Sequence, residues 1–176
     1  MRSFLKKYGP VILCFLCFNV EAPAQIGETR LKSIWLEKFS KFIEWPTSDT
    51  LDYFTITILG EGDINQYLYD IYKNRTIKNK PVKINVIDKI DSLENCNILF
   101  INTEQAKDLD KVLDKVRSKP ILTIGDTQGF AKKGIIINFY LEQNKVRFEL
   151  NISAAKSSGL DVDFRLLEAA RIIKKI

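Results

Sequence analysis

Hydrophobic residues recur along the chain at two different spacings, and these spacings predict an ordered series of helices and strands. Residues 28–45 carry large apolar side chains at steps of three and four, which predicts an amphipathic helix stopped by Pro46. Residues 53–59 are a run of β-branched and aromatic side chains before Gly60, which predicts a strand. Residues 64–72 return to the helical spacing and predict a short second helix.

The central part of the chain continues the alternation, with strands that are more uniformly apolar. Residues 82–86 alternate apolar and polar side chains, as in a half-exposed strand. Residues 97–101 and 121–124 are almost wholly apolar, which is typical of strands covered on both faces. Thr103 offers an N-cap for a helix that reaches Arg117. This order of elements predicts a sheet of parallel strands.

The C-terminal part departs from this alternation. Residues 135–141 and 145–152 predict two strands joined by Glu142-Gln143-Asn144, which form a β-hairpin. Apolar residues within 161–175 lie at helical spacing and predict a final helix. The whole pattern predicts a single α/β domain over residues 25–176. Its central sheet is mostly parallel and flanked by helices, with a C-terminal β-hairpin and helix.

The first predicted helix is unusually rich in apolar side chains. Its apolar residues cover an arc of roughly 200° on a helical wheel, about twice the width that packing against one sheet requires. Lys32 and Lys38 interrupt this arc. The excess predicts that a second subunit or a partner protein covers the helix, although a helix enclosed within its own core gives the same pattern. The candidate interface residues are Trp35, Leu36, Phe39, Ile43 and Trp45.

Residues 1–24 have the pattern of a secretory signal peptide. Basic residues at the start precede an apolar run over residues 11–18, and Ala22-Pro23-Ala24 follows as a small-x-small cleavage sequence. The run is far shorter than the roughly 20 residues that a membrane-spanning helix needs. We therefore expect a periplasmic protein that does not itself span the membrane and begins at Gln25 after cleavage. An uncleaved anchor is the alternative.

Composition excludes several classes of function. The chain has no histidine, which removes Ser-His and Cys-His nucleophile pairs and the commonest zinc ligand. It carries 27 basic and 22 acidic residues, and the basic residues are scattered rather than grouped with aromatics as in a nucleic-acid site. The absence of histidine counts against a hydrolase, and we expect a protein that binds no nucleic acid and holds no metal or other cofactor.

Cys96 is the single cysteine outside the predicted signal peptide. No intramolecular disulfide can therefore form in the mature chain. Cys96 begins an apolar segment, where a small thiol packs well, so we expect it to be structural. An intermolecular disulfide is the alternative in an oxidising compartment.

Two glycines and a carboxylate mark the ends of predicted strands. Gly60 follows the first strand, and Gly125-Asp126 follows the buried strand 121–124. Open α/β sheets bind ligands at the carboxyl ends of their strands. Gly60, Asp126, Gly129 and Phe130 are therefore candidates for a ligand-binding edge. On this alternative the protein binds a small ligand in the periplasm.

Several segments, taken in order, resemble a known family. They read FSKFIEWP over 39–46, CNILFI over 96–101, ILTIGD over 121–126, INF over 137–139 and RFELN over 147–151. Together they resemble the YfiR/HmsC-type family of periplasmic regulatory proteins across essentially the whole mature chain. The positions that carry the resemblance include Glu44, Trp45, Pro46, Cys96, Asn138, Arg147, Glu149 and Asn151.

The resemblance implies a non-enzymatic regulator that binds the periplasmic sensor region of an inner-membrane signalling protein. In the best-known cases that protein is a diguanylate cyclase, so cyclic-di-GMP signalling and biofilm formation are controlled; a sensor kinase is another possible partner. It also implies a homodimer. Better-known members carry intramolecular disulfides, with one cysteine about where Thr57 stands here, so redox control through that bond is not expected.

Overall fold

The computed structural model describes residues 23–46 and 52–173. The predicted signal peptide therefore lies outside the described residues except for its last two. The helices are α1 (Pro23–Phe42), α2 (Ile64–Tyr72), α3 (Leu109–Val116), α4 (Phe130–Lys133), α5 (Ile152–Ser157) and α6 (Phe164–Ala169). The strands are β1 (Ile43–Glu44), β2 (Phe54–Leu59), β3 (Thr76–Ile77), β4 (Lys80–Ile87), β5 (Ile98–Ile101), β6 (Leu122–Gly125), β7 (Ile137–Glu142), β8 (Lys145–Asn151), β9 (Asp161–Val162) and β10 (Arg171–Ile173). Three-ten turns occupy Ile90–Ser92 and Thr103–Asp108.

The main sheet of the described chain has the strand order β10-β8-β7-β6-β5-β2-β4-β3. Pairing is parallel from β4 through β2, β5 and β6 to β7, and again between β8 and β10. Only the β7–β8 hairpin and the short β3–β4 hairpin are antiparallel within it. The predicted α/β domain with a mostly parallel sheet is confirmed.

Each central strand is buried on both faces because helices cover both sides of the sheet. In β5, Ile98 and Phe100 join the core under α1, whereas Leu99 and Ile101 join the core under α3. Alternate side chains of a strand point to opposite faces, so a strand between two helical layers buries both sets of side chains and is largely apolar. The almost wholly apolar segments thus arise from this three-layer packing.

The β7–β8 hairpin forms as predicted, with a tighter turn. Gln143 and Asn144 alone make the turn, with positive φ angles of 50° and 58°. Two left-handed residues in a two-residue loop match the twist of the flanking strands. Glu142, expected in the turn, instead pairs with Lys145 as the last residue of β7.

The first helix ends three residues earlier than expected. Ile43 and Glu44 form β1, which pairs antiparallel with β9. The carbonyl of Phe42 accepts a hydrogen bond from the backbone N–H of Asp163 at 2.9 Å. This contact from a distant segment satisfies a carbonyl at the helix end, and Ile43 then enters the core from an extended backbone.

The predicted C-terminal helix forms but is much shorter than expected, because α6 covers Phe164–Ala169 and not residues 161–175. The segment is divided into β9, the short helix α6 and β10, and residues 174–176 lie outside the described part. Asp163 caps α6 by accepting a hydrogen bond from the N–H of Arg165 at 2.8 Å. Ile172 and Ile173 are β-branched, and they pair with Leu150 and Asn151 along the outer side of β8.

The predicted helix from Thr103 is also modified. Its first part is a three-ten turn, and α3 begins only at Leu109. Asp108, and not Thr103, is the residue before α3, and the hydroxyl of Thr103 donates to a carboxylate oxygen of Asp126 at 2.7 Å.

Candidate functional site

Polar residues meet where three neighbouring parallel strands end. Gly60 follows β2, Asn102 follows β5 and Asp126 follows β6. The side-chain amide of Asn102 donates to the carbonyl of Gly60 at 2.7 Å. Gly60 has a φ of 88°, a conformation that glycine adopts without strain. The predicted ligand edge thus brings Gly60 and Asp126 to the same end of the sheet.

Lys32 of α1 reaches this edge and lies between two carboxylates. Its Nζ atom is 2.9 Å from Oδ2 of Asp126 and 2.7 Å from Oε1 of Glu28. Burial by itself lowers the pKa of Lys32, but the two carboxylates outweigh burial and raise that pKa above its usual value. Lys32 is therefore a fixed cation that joins the first helix to the end of β6.

A cavity of about 860 Å³ opens beside this ion pair, and we call it the edge cavity. Its polar side contains Lys32, Asp126 and Asn102, and its apolar side contains Leu31 and Leu141. A second cavity of about 550 Å³ adjoins it and shares Lys32 and Asp126. A volume of this size suits a small molecule, and a wall with both polar and apolar parts suits an amphiphilic one.

The other two residues predicted for the ligand edge have different places. Phe130 is buried in the core under α3, so it cannot line an open site. A Cβ atom at Gly125 would lie 2.7 Å from the Phe130 ring, so the ring packs on the bare backbone of β6. Gly129 lines the smaller cavity and starts α4 with a φ of 86°. Phe130 was predicted to line the ligand edge, and this is corrected: its side chain packs in the core against the backbone of Gly125.

The five predicted interface residues fall into two groups. Leu36, Phe39 and Ile43 are fully buried within the chain. Trp35 and Trp45 are half-buried and pack against the same core. The wide apolar arc of α1 is covered on its second side by α2 and α6 of the same chain. Leu36, Phe39 and Ile43 therefore belong to the core, a correction to their predicted place on an outer face.

Within residues 27–42 of α1, Leu31 and Ile34 are the exposed large apolar residues, and sequence reasoning did not propose them as site residues. Each is 38% exposed, and they lie three residues apart on one face of the helix. Leu31 lines the edge cavity together with exposed Leu141 from the hairpin. The sequence feature that could have identified Leu31 and Ile34 is their position in the apolar arc of α1, close to Lys32 and Lys38.

A sequence profile of the YfiR/HmsC-like family matches residues 29–171 of this chain. The chain belongs to this family. Its members are periplasmic regulatory proteins. None of the curated proteins compared with the sequence matches it.

Two solved structures share the fold of this YfiR/HmsC-like chain. One is the ABC domain in complex with L-Trp from Streptococcus pneumonia, with a TM-score of 0.54, 9% identity and 84% of this chain covered. The other is a conserved domain protein from Vibrio cholerae O1 biovar eltor str. N16961, with a TM-score of 0.55, 9% identity and 83% covered. The YfiR/HmsC-like chain spans only 62% and 60% of the lengths of these two chains.

Two motif residues of the C-terminal half of this YfiR/HmsC-like chain, Asn138 and Glu149, belong to a polar cluster that connects β7, β8 and β10. Asn138 and Glu149 are opposite each other on β7 and β8, and Arg171 of β10 pairs with Glu149. Arg171 donates to Glu142 at 2.7 Å and stacks 4.0 Å above the ring of Tyr140. This cluster therefore ties the hairpin to β10.

Other motif positions have local structural roles. Asn151 caps α5 by accepting from the N–H of Ala154 at 2.9 Å, and its amide donates to the carbonyl of Ala131 at 2.7 Å. Arg147 is exposed, and its Nε atom lies 4.0 Å from a carboxylate oxygen of Glu142. Exposed Glu44 pairs with Lys78 at 2.9 Å, and Pro46, also exposed, follows Trp45.

Cys96 lies just before β5. It is buried, and a hydrogen bond joins its side chain to that of Thr57. Burial raises the pKa of the Cys96 thiol to about 11, although the Thr57 contact and the charge of Lys119 act in the opposite direction. A thiol with this pKa is protonated and unreactive at neutral pH.

We expect Cys96 to resist a thiol-specific reagent such as a disulfide dye at pH 8 in the folded protein. It should react within seconds only after unfolding in guanidinium. The pKa of the thiol is higher in the folded state than in the unfolded state, so the protonated thiol contributes to stability below pH 9.0, its ordinary pKa. This contribution falls as the pH rises toward about 11. Cys96→Ser should lower the free energy of unfolding by about 1–2 kcal/mol. Rapid labelling of the native protein contradicts this prediction.

Within the described residues, no group of three or more cysteine, aspartate or glutamate side chains converges as a metal site. None of the helices between residues 23 and 173 combines the length and apolar character that crossing a membrane requires.

Proposed function

We propose that the protein is a non-enzymatic periplasmic regulator that binds the periplasmic sensor region of an inner-membrane signalling protein. That partner is a diguanylate cyclase or a sensor kinase, whose activity the protein modulates. The observation that carries the proposal is the family match over residues 29–171, which includes every strand of the sheet through the start of β10. Control of cyclic-di-GMP and biofilm formation follows where the partner is a cyclase.

The groups at the carboxyl edge of the sheet fit binding better than catalysis. Asp126 accepts from Thr103 and pairs with Lys32, so its oxygens are already engaged. The chain has no histidine to act as a general base. These polar groups hold elements together, which supports a role in recognition.

The partner can be identified by photocrosslinking from surface positions in the native host. A photoreactive residue in place of Ile34 should crosslink to a membrane protein that mass spectrometry identifies as a cyclase or kinase. Deleting the gene for this protein should then change cellular cyclic-di-GMP or kinase output at least severalfold. Crosslinking only to soluble proteins, with no signalling change on deletion, contradicts the proposal.

We place part of the partner contact on the exposed face of α1. Leu31→Glu should weaken partner binding at least tenfold and shift the melting temperature by only a few degrees, because Leu31 is exposed. Leu36→Glu should instead unfold the protein, since it places a charge in the core. Ser153→Glu, an exposed change on α5, is the control and should alter neither property. Unchanged binding by folded Leu31→Glu moves the contact elsewhere.

The edge cavity favours a second candidate, a periplasmic protein that binds a small ligand. It lies at the strand ends near Gly60 and Asp126, and the related fold in the Streptococcus structure is described in complex with L-Trp. A metabolite panel tested by thermal shift should then give a concentration-dependent rise in melting temperature. Asn102→Ala should abolish that rise if the ligand occupies the edge cavity.

Export and self-association are part of the proposal. The mature protein should begin at Gln25, which intact-mass measurement of periplasmic protein checks directly. Retention of residues 1–24 contradicts this prediction.

Self-association is tested separately. A homodimer should appear as twice the monomer mass in sedimentation experiments.

A further inference from the structure

Among the residues that the structure describes, β4 leaves an open edge of the sheet. Within the described chain, β3 covers this edge only where Thr76 and Ile77 face Pro81 and Lys80. The rest of β4 pairs with β2 on one side, from Val82 to Ile87. We propose that the edge Val82–Ile87 is the docking site of an acidic, extended segment of the protein's partner, which adds a strand to the sheet. The inference rests on the proposed function, because it assigns a second part of the surface that the signalling partner contacts, besides the exposed face of α1.

The hydrogen-bond pattern of β4 shows which backbone groups are available. The N–H of Gly60 donates to the carbonyl of Ile87 at 2.9 Å, so Ile87 turns its backbone toward β2. Successive residues of a strand turn their backbone groups to opposite edges. Val82, Ile84 and Val86 therefore direct their N–H and carbonyl groups away from β2. A partner strand can bond to all three.

The length of this edge suits strand addition. Six residues of strand extend for about 20 Å. The side chains of Val82, Ile84 and Val86 pack against the core under α1, so this strand is held in place before a partner arrives. Recognition by strand addition uses such a rigid edge, with main-chain hydrogen bonds supplying much of the affinity.

Charge identifies the kind of partner. Residues 73–89, which lead into β4 and form it, contain six basic residues and one acidic residue, Asp88. The rest of the chain has 21 basic and 21 acidic residues, so this segment carries the whole net charge of +5. Arg75 and Lys78 pair with Glu37 and Glu44 in exposed contacts, which are weak and leave the segment positive. An acidic segment is attracted to this edge.

A second copy of the chain fits the edge less well. Two β4 strands side by side would bring two positive segments together, and like charges on paired strands repel. Charge therefore favours an acidic partner over a second copy.

The test uses a synthetic ten-residue peptide of alternating valine and glutamate with a fluorescent label. Its binding to the full mature protein is followed by fluorescence anisotropy. Val86→Pro removes one outward N–H without removing a donor to β2, and proline is tolerated at such edge positions. Val86→Ala is the matched control, because it trims the same side chain and keeps the N–H. We expect Val86→Pro to weaken binding at least tenfold and Val86→Ala less than twofold.

Two further measurements keep the result independent of folding in Val86→Pro. A peptide methylated at alternate backbone nitrogens should fail to bind the wild-type protein. Lys83→Glu should weaken binding at least threefold in low salt. No binding of the acidic peptide at 1 mM, or equal binding of the methylated peptide, overturns the proposal. The proposal is also overturned if the wild-type protein has twice the monomer mass and the Val86→Pro variant has the monomer mass. A second copy of the chain then occupies the edge.

The partner identified by photocrosslinking separates this inference from the proposed function. If that signalling protein binds folded Val86→Pro as tightly as the wild type, the edge assignment is wrong and the function stands. If no signalling protein is crosslinked, the proposed function fails regardless of the peptide result.

Discussion

Phe39→Ala is expected to lower the free energy of unfolding by about 3–5 kcal/mol. Phe39 is 0% exposed at the centre of the contact between α1 and the sheet. Its ring centroid lies 5.5 Å from that of Trp35, 5.6 Å from Phe139 and 5.0 Å from Phe148. Removing the ring loses its buried area and these aromatic contacts, and it leaves a cavity that rigid strands cannot close. Chemical denaturation followed by tryptophan fluorescence measures the loss.

Phe164→Ala is the matched control for this substitution. Phe164 is 64% exposed at the start of α6, so the same chemical change should cost less than about 1 kcal/mol. A loss below about 1 kcal/mol for Phe39→Ala would show that α1 is not integral to the core. The helix would then be free to serve as an interface, as its apolar arc alone suggested.

The parts of the fold that were predictable are those whose packing leaves a local pattern. The almost wholly apolar residues of β5 and β6 indicated strands between two layers, and both faces are indeed covered. The hairpin was indicated by polar residues between two apolar strands. In each case the elements nearby in sequence are also neighbours in space, so the local signal is sufficient.

The incorrect parts depend on contacts between distant segments. Residues 161–173 have apolar side chains at helical spacing, yet the open side of β8 draws Arg171–Ile173 into the sheet. The end of α1 is set by Asp163, which is more than 100 residues away and bonds to Phe42. Neither partner is visible to periodicity within one segment. The pair Ile172-Ile173 was the one local sign of a strand.

The candidate site was predicted in part. Strand ends gave Gly60 and Asp126, because parallel strands bring their carboxyl ends to one edge. Nothing local connects Lys32 with Asp126, which are 94 residues apart. The sign that was present is a lysine within the apolar arc of α1, since a cation on a buried face needs a carboxylate. Lys38 interrupts the same arc for another reason, because it lies 4.5 Å above the ring of Trp35.

Lys32→Met is expected to lower the free energy of unfolding by about 2–4 kcal/mol. The side chains of Lys32 and Asp126 are 13% and 19% exposed, so removing the cation leaves Asp126 and Glu28 with an uncompensated negative charge in a sheltered place. Methionine keeps the length and apolar part of the lysine side chain, so lost packing contributes little. Urea denaturation at pH 7 measures the effect.

A double-mutant cycle and a pH series test whether the charge itself is responsible. Asp126→Asn should remove part of the penalty, so Lys32→Met with Asp126→Asn should be more stable than Lys32→Met alone. The pKa of Lys32 is raised in the folded state, so its stabilising contribution is complete below its ordinary value of 10.5 and is lost as pH rises past it. The stability difference between wild type and Lys32→Met should therefore shrink above that pH. The contrary result is that the effects of Lys32→Met and Asp126→Asn on the free energy of unfolding simply add, and that the stability difference between wild type and Lys32→Met stays constant up to pH 11. In that case packing, and not the ion pair, holds α1 to the edge of the sheet.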